Sequence, residues 1–397
     1  MHPEFFTIPG VGVTVKTYGF CLMVGFLSAV WLAMRRAERV KANADRVLDV
    51  SFVALVFGVG GARAFYVAHY WKTDFAMMPN KLLAAIDIRQ GGLEFLGGFL
   101  CASLAILVYL SLKKESVRLY LDVLAPGAMW GLAFGRLGCF FNGCCFGGLC
   151  TVGHDHEARF PWAVQFPYGS PAHVREWEDR RATVPAELID SRGIQSALLF
   201  SGALSLPVEQ RQGPKRRVQL IEEALAEVRK SDGAASQVAA LEKELKSANQ
   251  AVEAVYKKHR LADLDWAQQY PSRMSPERST SVSELQNLAA QARSLPVHPT
   301  QLYSAIGAIL LSGLLSAVFY QRKRHGVVIG LLFVLYPISR VILEMIRADN
   351  PHDAAGLTIS QFVSVAMFLG GVVYLIALYR WLPQRSPVLA VSPQVSR

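Results

Sequence analysis

The chain has 397 residues, 52% of them hydrophobic and 18% charged, with a formal net charge of +10. The apolar residues come in long blocks, which exclude a large soluble core in favour of a membrane bundle. The positive charge implies no nucleic acid, because much of it flanks those blocks, where Lys and Arg anchor span ends beside anionic headgroups.

The opening stretch MHPEFFTIPG lacks the basic region of a cleaved signal peptide, so the first span, Tyr18 to Met34, is expected to act as its own insertion signal. Leu48 to Tyr70, Gly92 to Leu112 and Tyr120 to Phe141 follow, each near the ~20 residues that cross a hydrocarbon core. From about Asn142 to Val297 the chain is polar and far too long for a connector. Within it Val218, Ile221, Leu225 and Val228, then Val238, Leu241, Leu245, Ala248, Val252 and Val255, follow spacings of three and four around the polar turn KSDGAASQ. This predicts an antiparallel helical hairpin over about 215–260, a spacer or an arm that docks a protein partner. Three more spans follow: Gln301 to Tyr320, Gly326 to Ile346 and Ile359 to Leu382.

Basic residues fix the orientation. Arg35, Arg36, Arg39 and Lys41, then Lys113, Lys114 and Arg118, then Arg322, Lys323 and Arg324, then Arg380 and Arg385 fall on one face of a seven-span arrangement, and that face is cytoplasmic. The expected fold is an all-α membrane protein of seven transmembrane helices, N-terminus out and C-terminus in, with a large extracytoplasmic insertion. Residues 1–141 hold spans one to four, 142–297 the extracytoplasmic region with its hairpin, and 298–397 spans five to seven and a cytoplasmic tail.

Ionisable residues inside spans cost roughly 2.5 to 3.5 kcal/mol each on insertion scales, so each needs a reason. Here Tyr18, Arg63, Glu94 and Arg136, with Tyr336, Arg340 and Glu344, all fall in the outer part of their spans. Tyr336, Arg340 and Glu344 are four residues apart and form one stripe on a helix, which Arg347 extends. Guanidinium groups at headgroup depth suit a phosphate, held by paired hydrogen bonds. A phospholipid headgroup is the anion available there.

The stretch GRLGCFFNGCCFGGLC, Gly135 to Cys150, has the cysteine spacing C-x4-C-C-x4-C, which differs from the well-separated pairs of a structural zinc site. No metal is expected. A disulfide involving Cys150 stays open, and Cys21 and Cys101 read as small packing residues within spans. The glycines permit close backbone approach and, with Arg136, suggest a phosphate cradle.

This stretch resembles the signature of the prolipoprotein diacylglyceryl transferase family, Gly-Arg-x-Gly-Asn-Phe-x-Asn-Gly-Glu ending in glycine, at Arg136, Gly138, Phe140, Asn142, Gly143 and Gly147. Further resemblances run in order: KTYGF, GARAFY, GGLEFLGGFL, FPYGSP, HPTQLY and YPISRVILEMIRADNP. They leave roughly Glu176 to Pro296 unexplained. The resemblance implies a multi-pass enzyme of the bacterial cytoplasmic membrane with its site near the outer leaflet. Its reaction is transfer of a diacylglyceryl group from phosphatidylglycerol to the lipobox cysteine of a preprolipoprotein, with no cofactor.

On that resemblance Arg136 and Arg340 hold the phosphate, Glu344 orients Arg340, and Tyr18 and Tyr336 bond the headgroup. Arg63, Glu94, Gly97, Gly98, Asn142, Gly143 and Gly147 complete the binding site. The chain departs from the family pattern at Leu96, where many members carry histidine, and at Cys139 and Cys144, which replace the signature asparagine and glutamate. His298, His69 and Glu94 are the remaining candidates to accept the thiol proton. Those departures also admit an alternative, a non-catalytic phospholipid-binding or scaffold relative, or a transferase with another donor or acceptor.

Overall fold

A computed structural model describes residues 4–7, 14–75, 81–87, 92–152, 157–158, 160–190, 197–204, 206, 208–230, 235–261, 281–347 and 358–382. The chain divides into two compact units, Asn142–Pro299 and the residues that flank it on both sides.

The flanking unit contains seven helices long and apolar enough to cross a membrane. They are α1 (Thr17–Arg39), α2 (Ala44–Tyr70), α4 (Phe95–Leu112), α5 (Val117–Asn142), α11 (Thr300–Gln321), α12 (Val327–Ile346) and α13 (Ile359–Arg380), with the short α3 (Lys81–Ile86) between α2 and α4. A two-stranded antiparallel pair, β1 (Glu4–Thr7) and β2 (Thr14–Lys16), precedes α1. Large apolar side chains such as Phe52, Leu104, Leu310 and Val373 are exposed, as expected where lipid rather than water is the solvent.

Most helices outrun the predicted apolar spans, because basic residues such as Arg35, Arg36 and Arg39 continue the helix past the hydrocarbon. Three fall short: α12 starts one residue late at Val327, α13 ends two early at Arg380, and the third span differs most. It is predicted from Gly92, yet α4 starts at Phe95, since Gly92 sits at φ +74° and Glu94 is an extended N-cap residue.

The core joins Ala33 and Ala37 of α1, Val47 and Val50 of α2, Tyr120, Val123 and Met129 of α5, and Val328 and Leu332 of α12. Half of the apolar window of α5 is buried, against 17% for α1, α4 and α13, so α5 is the central helix. Close packing of α2 on α4 comes from small residues. Gly97 faces Phe65, Gly98 faces Gly58 and Ala62, and Gly61 faces Cys101.

One end of α5 is pinned to the start of α12. Asp122 accepts hydrogen bonds from the N–H groups of Gly326 (2.7 Å) and Ile329 (3.0 Å) and pairs with Arg322 at 3.0 Å. Gly326 has φ +100°, a left-handed conformation that favours glycine. Arg136 lies fourteen residues beyond Asp122, and Arg340 fourteen beyond Gly326. At 1.5 Å per residue both stand about 21 Å from the pin, so one buried carboxylate sets two arginines at matching heights.

The inserted unit has its own core of Tyr168, Leu188, Leu199, Leu204, Leu261 and Leu285. It contains α6 (Pro171–Glu178), α7 (Ser201–Leu204), α8 (Val208–Lys230), α9 (Ala235–His259) and α10 (Val282–Gln291), with the antiparallel pairs β3 (Thr151–Val152) with β4 (Glu157–Ala158) and β5 (Ile189–Asp190) with β6 (Ala197–Leu198). Helices α8 and α9 form the hairpin, its seam closed by Ile221, Leu225 and Ala248 and its flank by the Arg229–Glu242 ion pair at 2.8 Å. Residues 231–234, inside the predicted turn, lie outside the described residues.

Candidate functional site

The stripe on α12 is a connected ion-pair node. Arg340 Nη1 lies 2.9 Å from Glu344 Oε2, and Arg347 Nη1 lies 3.8 Å from the same oxygen. The hydroxyl of Thr358 donates to Glu344 Oε1 at 2.9 Å. Thr358 also forms a capping box with Gln361 at the start of α13, so Glu344 ties the end of α12 to the next helix. Sequence reading passed over Thr358, although Thr-x-x-Gln before an apolar run is a capping signal.

Arg136, on the central helix, is close enough to Arg340 for their charges to interact, as is Tyr336. Its Nε is buried with no hydrogen-bond partner among the described residues. Arg340 and Arg347 thus face one carboxylate among the described residues, with Arg136 within electrostatic range of Arg340. Tyr18 belongs to this end of the bundle through Gly138, two residues beyond Arg136. A Cβ on Gly138 would lie 3.3 Å from the Tyr18 Cα, so glycine lets α1 and α5 approach here.

Arg63 is engaged by main-chain carbonyls. Its guanidinium donates to the carbonyls of Ala84 (2.6 Å), Ala85 (2.9 Å) and Gly92 (2.9 Å), holding the connection between α2 and α4. Gly97 and Gly98 pack α4 on α2. Glu94 accepts from or pairs with His69, Nδ1 to Oε1 at 2.7 Å, which joins two residues that the sequence offered separately.

In the inserted unit, Gly143 takes φ +74° and Gly147 donates its N–H to the carbonyl of His298 at 2.9 Å. The Gly147 N–H therefore serves the loop rather than an anion. His298 N–H returns a bond to Gly148 at 3.1 Å, and its ring lies 5.9 Å from Phe160. Asn142 is exposed. The segment 293–298 runs between residues 147–150 and 164–166, with backbone bonds to both. Glu176 of α6 steadies it by accepting the Leu295 N–H at 2.7 Å. Burial raises the Glu176 carboxyl to about 7, opposed by that bond and by Arg181, and burial lowers the His173 imidazole. No disulfide joins any of the six cysteines, and Cys139 and Cys150 are buried.

Seven apolar helices, with Arg136, Arg340 and Arg347 toward one end of the bundle, define a multi-pass membrane protein. The family described as prolipoprotein diacylglyceryl transferase matches residues 3–220 and 260–377, and the chain belongs to that family. The unmatched residues contain all of α9 and the last part of α8. Among relatives, a phosphatidylglycerol–prolipoprotein diacylglyceryl transferase of Rhodopirellula baltica is 29% identical over 393 residues, covering 93% of this chain and 73% of the relative. Proteins of the same name from Photobacterium profundum and Clostridium botulinum (strain Langeland) are 34% and 32% identical, over 43% and 42% of this chain and 64% and 62% of their own lengths.

Proposed function

We propose that the chain transfers the diacylglyceryl group of phosphatidylglycerol to the lipobox cysteine thiol of a preprolipoprotein, the first step of lipoprotein maturation. The reaction takes place near the outer leaflet of a bacterial cytoplasmic membrane, with the N-terminus outside. The observation that carries this reading is the Arg340–Glu344–Arg347 stripe at the end of α12, with Arg136 in electrostatic range of Arg340 and its Nε unpartnered among the described residues.

The thiolate is the nucleophile. It attacks the glycerol carbon that bears the phosphate, a C–S bond forms, the C–O bond breaks, and its electron pair departs with glycerol 1-phosphate. Negative charge grows on the phosphate as the bond opens. Arg136 and Arg340 stabilise it most at that point, where charge stabilisation lowers the barrier. Glu344 holds one nitrogen of Arg340 and leaves the rest of the fork for the lipid. Tyr18 and Tyr336 bond headgroup oxygens, and Arg63, Glu94, Gly97 and Gly98, with Asn142, Gly143 and Gly147 of the inserted unit, are the further residues we assign to binding. His298, His69 and Glu94 are the groups available to accept the thiol proton. Displacement of this kind needs neither metal nor cofactor.

A second reading, a phospholipid-binding scaffold whose hairpin docks a protein partner, is favoured by Leu96, Cys139 and Cys144. One assay separates the two. Purified protein is reconstituted with phosphatidylglycerol and a lipobox peptide, and glycerol phosphate release and peptide mass are followed. The enzyme adds one diacylglyceryl mass to the peptide. A preparation that binds phosphatidylglycerol and leaves the peptide unchanged refutes it in favour of the scaffold.

A further inference from the structure

We propose that His69 and Glu94 form the general-base dyad that takes the proton from the acceptor thiol, an inference that rests on the transferase reading above. His69 is next to last in α2, and Glu94 is the N-cap residue of α4. Helix ends alternate along an up-and-down bundle. The end of α2 and the start of α4 therefore share a side with the end of α5, which carries Arg136, and the end of α12, which carries Arg340 and Glu344.

The geometry of the pair sets its chemistry. His69 Nδ1 lies 2.7 Å from Glu94 Oε1. An ionised carboxylate only accepts hydrogen bonds, so the neutral imidazole must carry its proton on Nδ1 and present a lone pair on Nε2. The His69 side chain is 65% exposed, its ring stacks on Tyr70 at 4.5 Å, and Nε2 is open to a substrate. When the ring takes a second proton, Glu94 stabilises the imidazolium without moving, an arrangement that favours proton abstraction.

The other charged groups of this corner are engaged elsewhere. Arg63 donates to the carbonyls of Ala84, Ala85 and Gly92, and Asp74 accepts the Tyr66 hydroxyl at 2.6 Å. Leu96 follows two residues after Glu94, in the first turn of α4. The corner that lacks a histidine at position 96 thus receives an imidazole from the neighbouring helix.

The proton balance is complete. The thiol proton passes to Nε2, the C–S bond forms as the C–O bond to phosphate breaks, and the imidazolium returns its proton to the departing phosphate.

The test compares kcat and KM for His69→Asn, Glu94→Gln and the unsubstituted protein, across pH, with lipobox peptides bearing cysteine or selenocysteine. A selenol is already ionised at neutral pH and needs little help from a base. The expected result with cysteine is a fall in kcat of about 10²-fold or more for His69→Asn, the range of a positioned general base, with a smaller fall for Glu94→Gln. KM for phosphatidylglycerol should hold, the acid limb of the pH profile should disappear, and selenocysteine should recover most of the loss. In the His69→Asn background, Leu96→His should restore part of the rate. An unchanged kcat and pH profile in His69→Asn overturns the dyad, and so does a loss equal for thiol and selenol, which marks a structural role. Absence of transfer by the unsubstituted protein overturns the transferase reading itself, and the dyad with it.

Discussion

Among the described residues the bundle has two buried arginine–carboxylate nodes, one at each end of the α5–α12 pair, and they are built on opposite terms. At one end Asp122 is fully buried, pairs with the equally buried Arg322 and accepts two backbone N–H groups at the start of α12. Charge is matched and the carboxylate is saturated with donors, which makes a buried ion pair durable. At the other end Glu344 faces Arg340 and Arg347, and Arg136 adds a further positive charge. The first node fastens two helices. The second stands at a height set by the first and joins α12 to α13 through Glu344 and Thr358.

The contrast breaks most visibly at Arg340. On the proposed reading Arg340→Ala removes a phosphate ligand and leaves the Asp122 pin in place, so transfer should fall by about 10³-fold or to background, the scale for losing one charge-stabilising donor. Membrane insertion should be retained, and melting in detergent should fall less than in a variant that strips its buried partner outright, because Arg347 and the Thr358 hydroxyl still face Glu344. Retained transfer would remove Arg340 from the phosphate clamp, and a collapsed melt would make it a structural arginine like Arg322.

Asp122→Asn probes the opposite end. Asparagine keeps one carbonyl acceptor for the cap but leaves Arg322 buried without its counter-charge. Removing one partner of a buried pair costs about 3 to 5 kcal/mol, so the variant should melt well below the parent. Activity per folded molecule should change less than in Arg340→Ala. Equal stability of the two proteins would mean that the pin is dispensable.

The two nodes also differ in how far they can be read from sequence. Arg340 and Glu344 share one helix, so their spacing announces the pair, and the seven spans follow from hydropathy because lipid leaves few alternatives to a helix. Asp122 and Gly326 are 204 positions apart, and no local pattern links them. His69 and Glu94 join across 25 positions that include the loop between α2 and α4. Arg63 reads as an anion ligand from its depth alone, whereas its carbonyl partners come from a connector with no sequence signature. Helix-local chemistry was legible, and chemistry made by the meeting of helix ends was not.

A third buried carboxylate, in the inserted unit, sharpens the comparison at smaller scale. Glu176 is 3% exposed, and Oε2 holds the Leu295 N–H, while Oε1 is buried with no hydrogen-bond partner among the described residues. It has neither the saturation of Asp122 nor the close guanidinium partners of Glu344, and burial raises it to about 7. A carboxyl that binds its proton more tightly folded than unfolded favours folding at low pH. That contribution is complete below the unfolded value near 4.5 and is lost as pH rises through about 7. Unfolding of the inserted unit, followed by hydrogen exchange, should therefore become easier between pH 5 and pH 8, by about 2 to 3 kcal/mol at ~1.4 kcal/mol per pKa unit. Glu176→Gln keeps an acceptor for Leu295 and carries no charge, so it should flatten that slope and match or exceed the parent at pH 8. A slope that survives the substitution would assign it to another group, with the buried His173 on the same helix next to be changed.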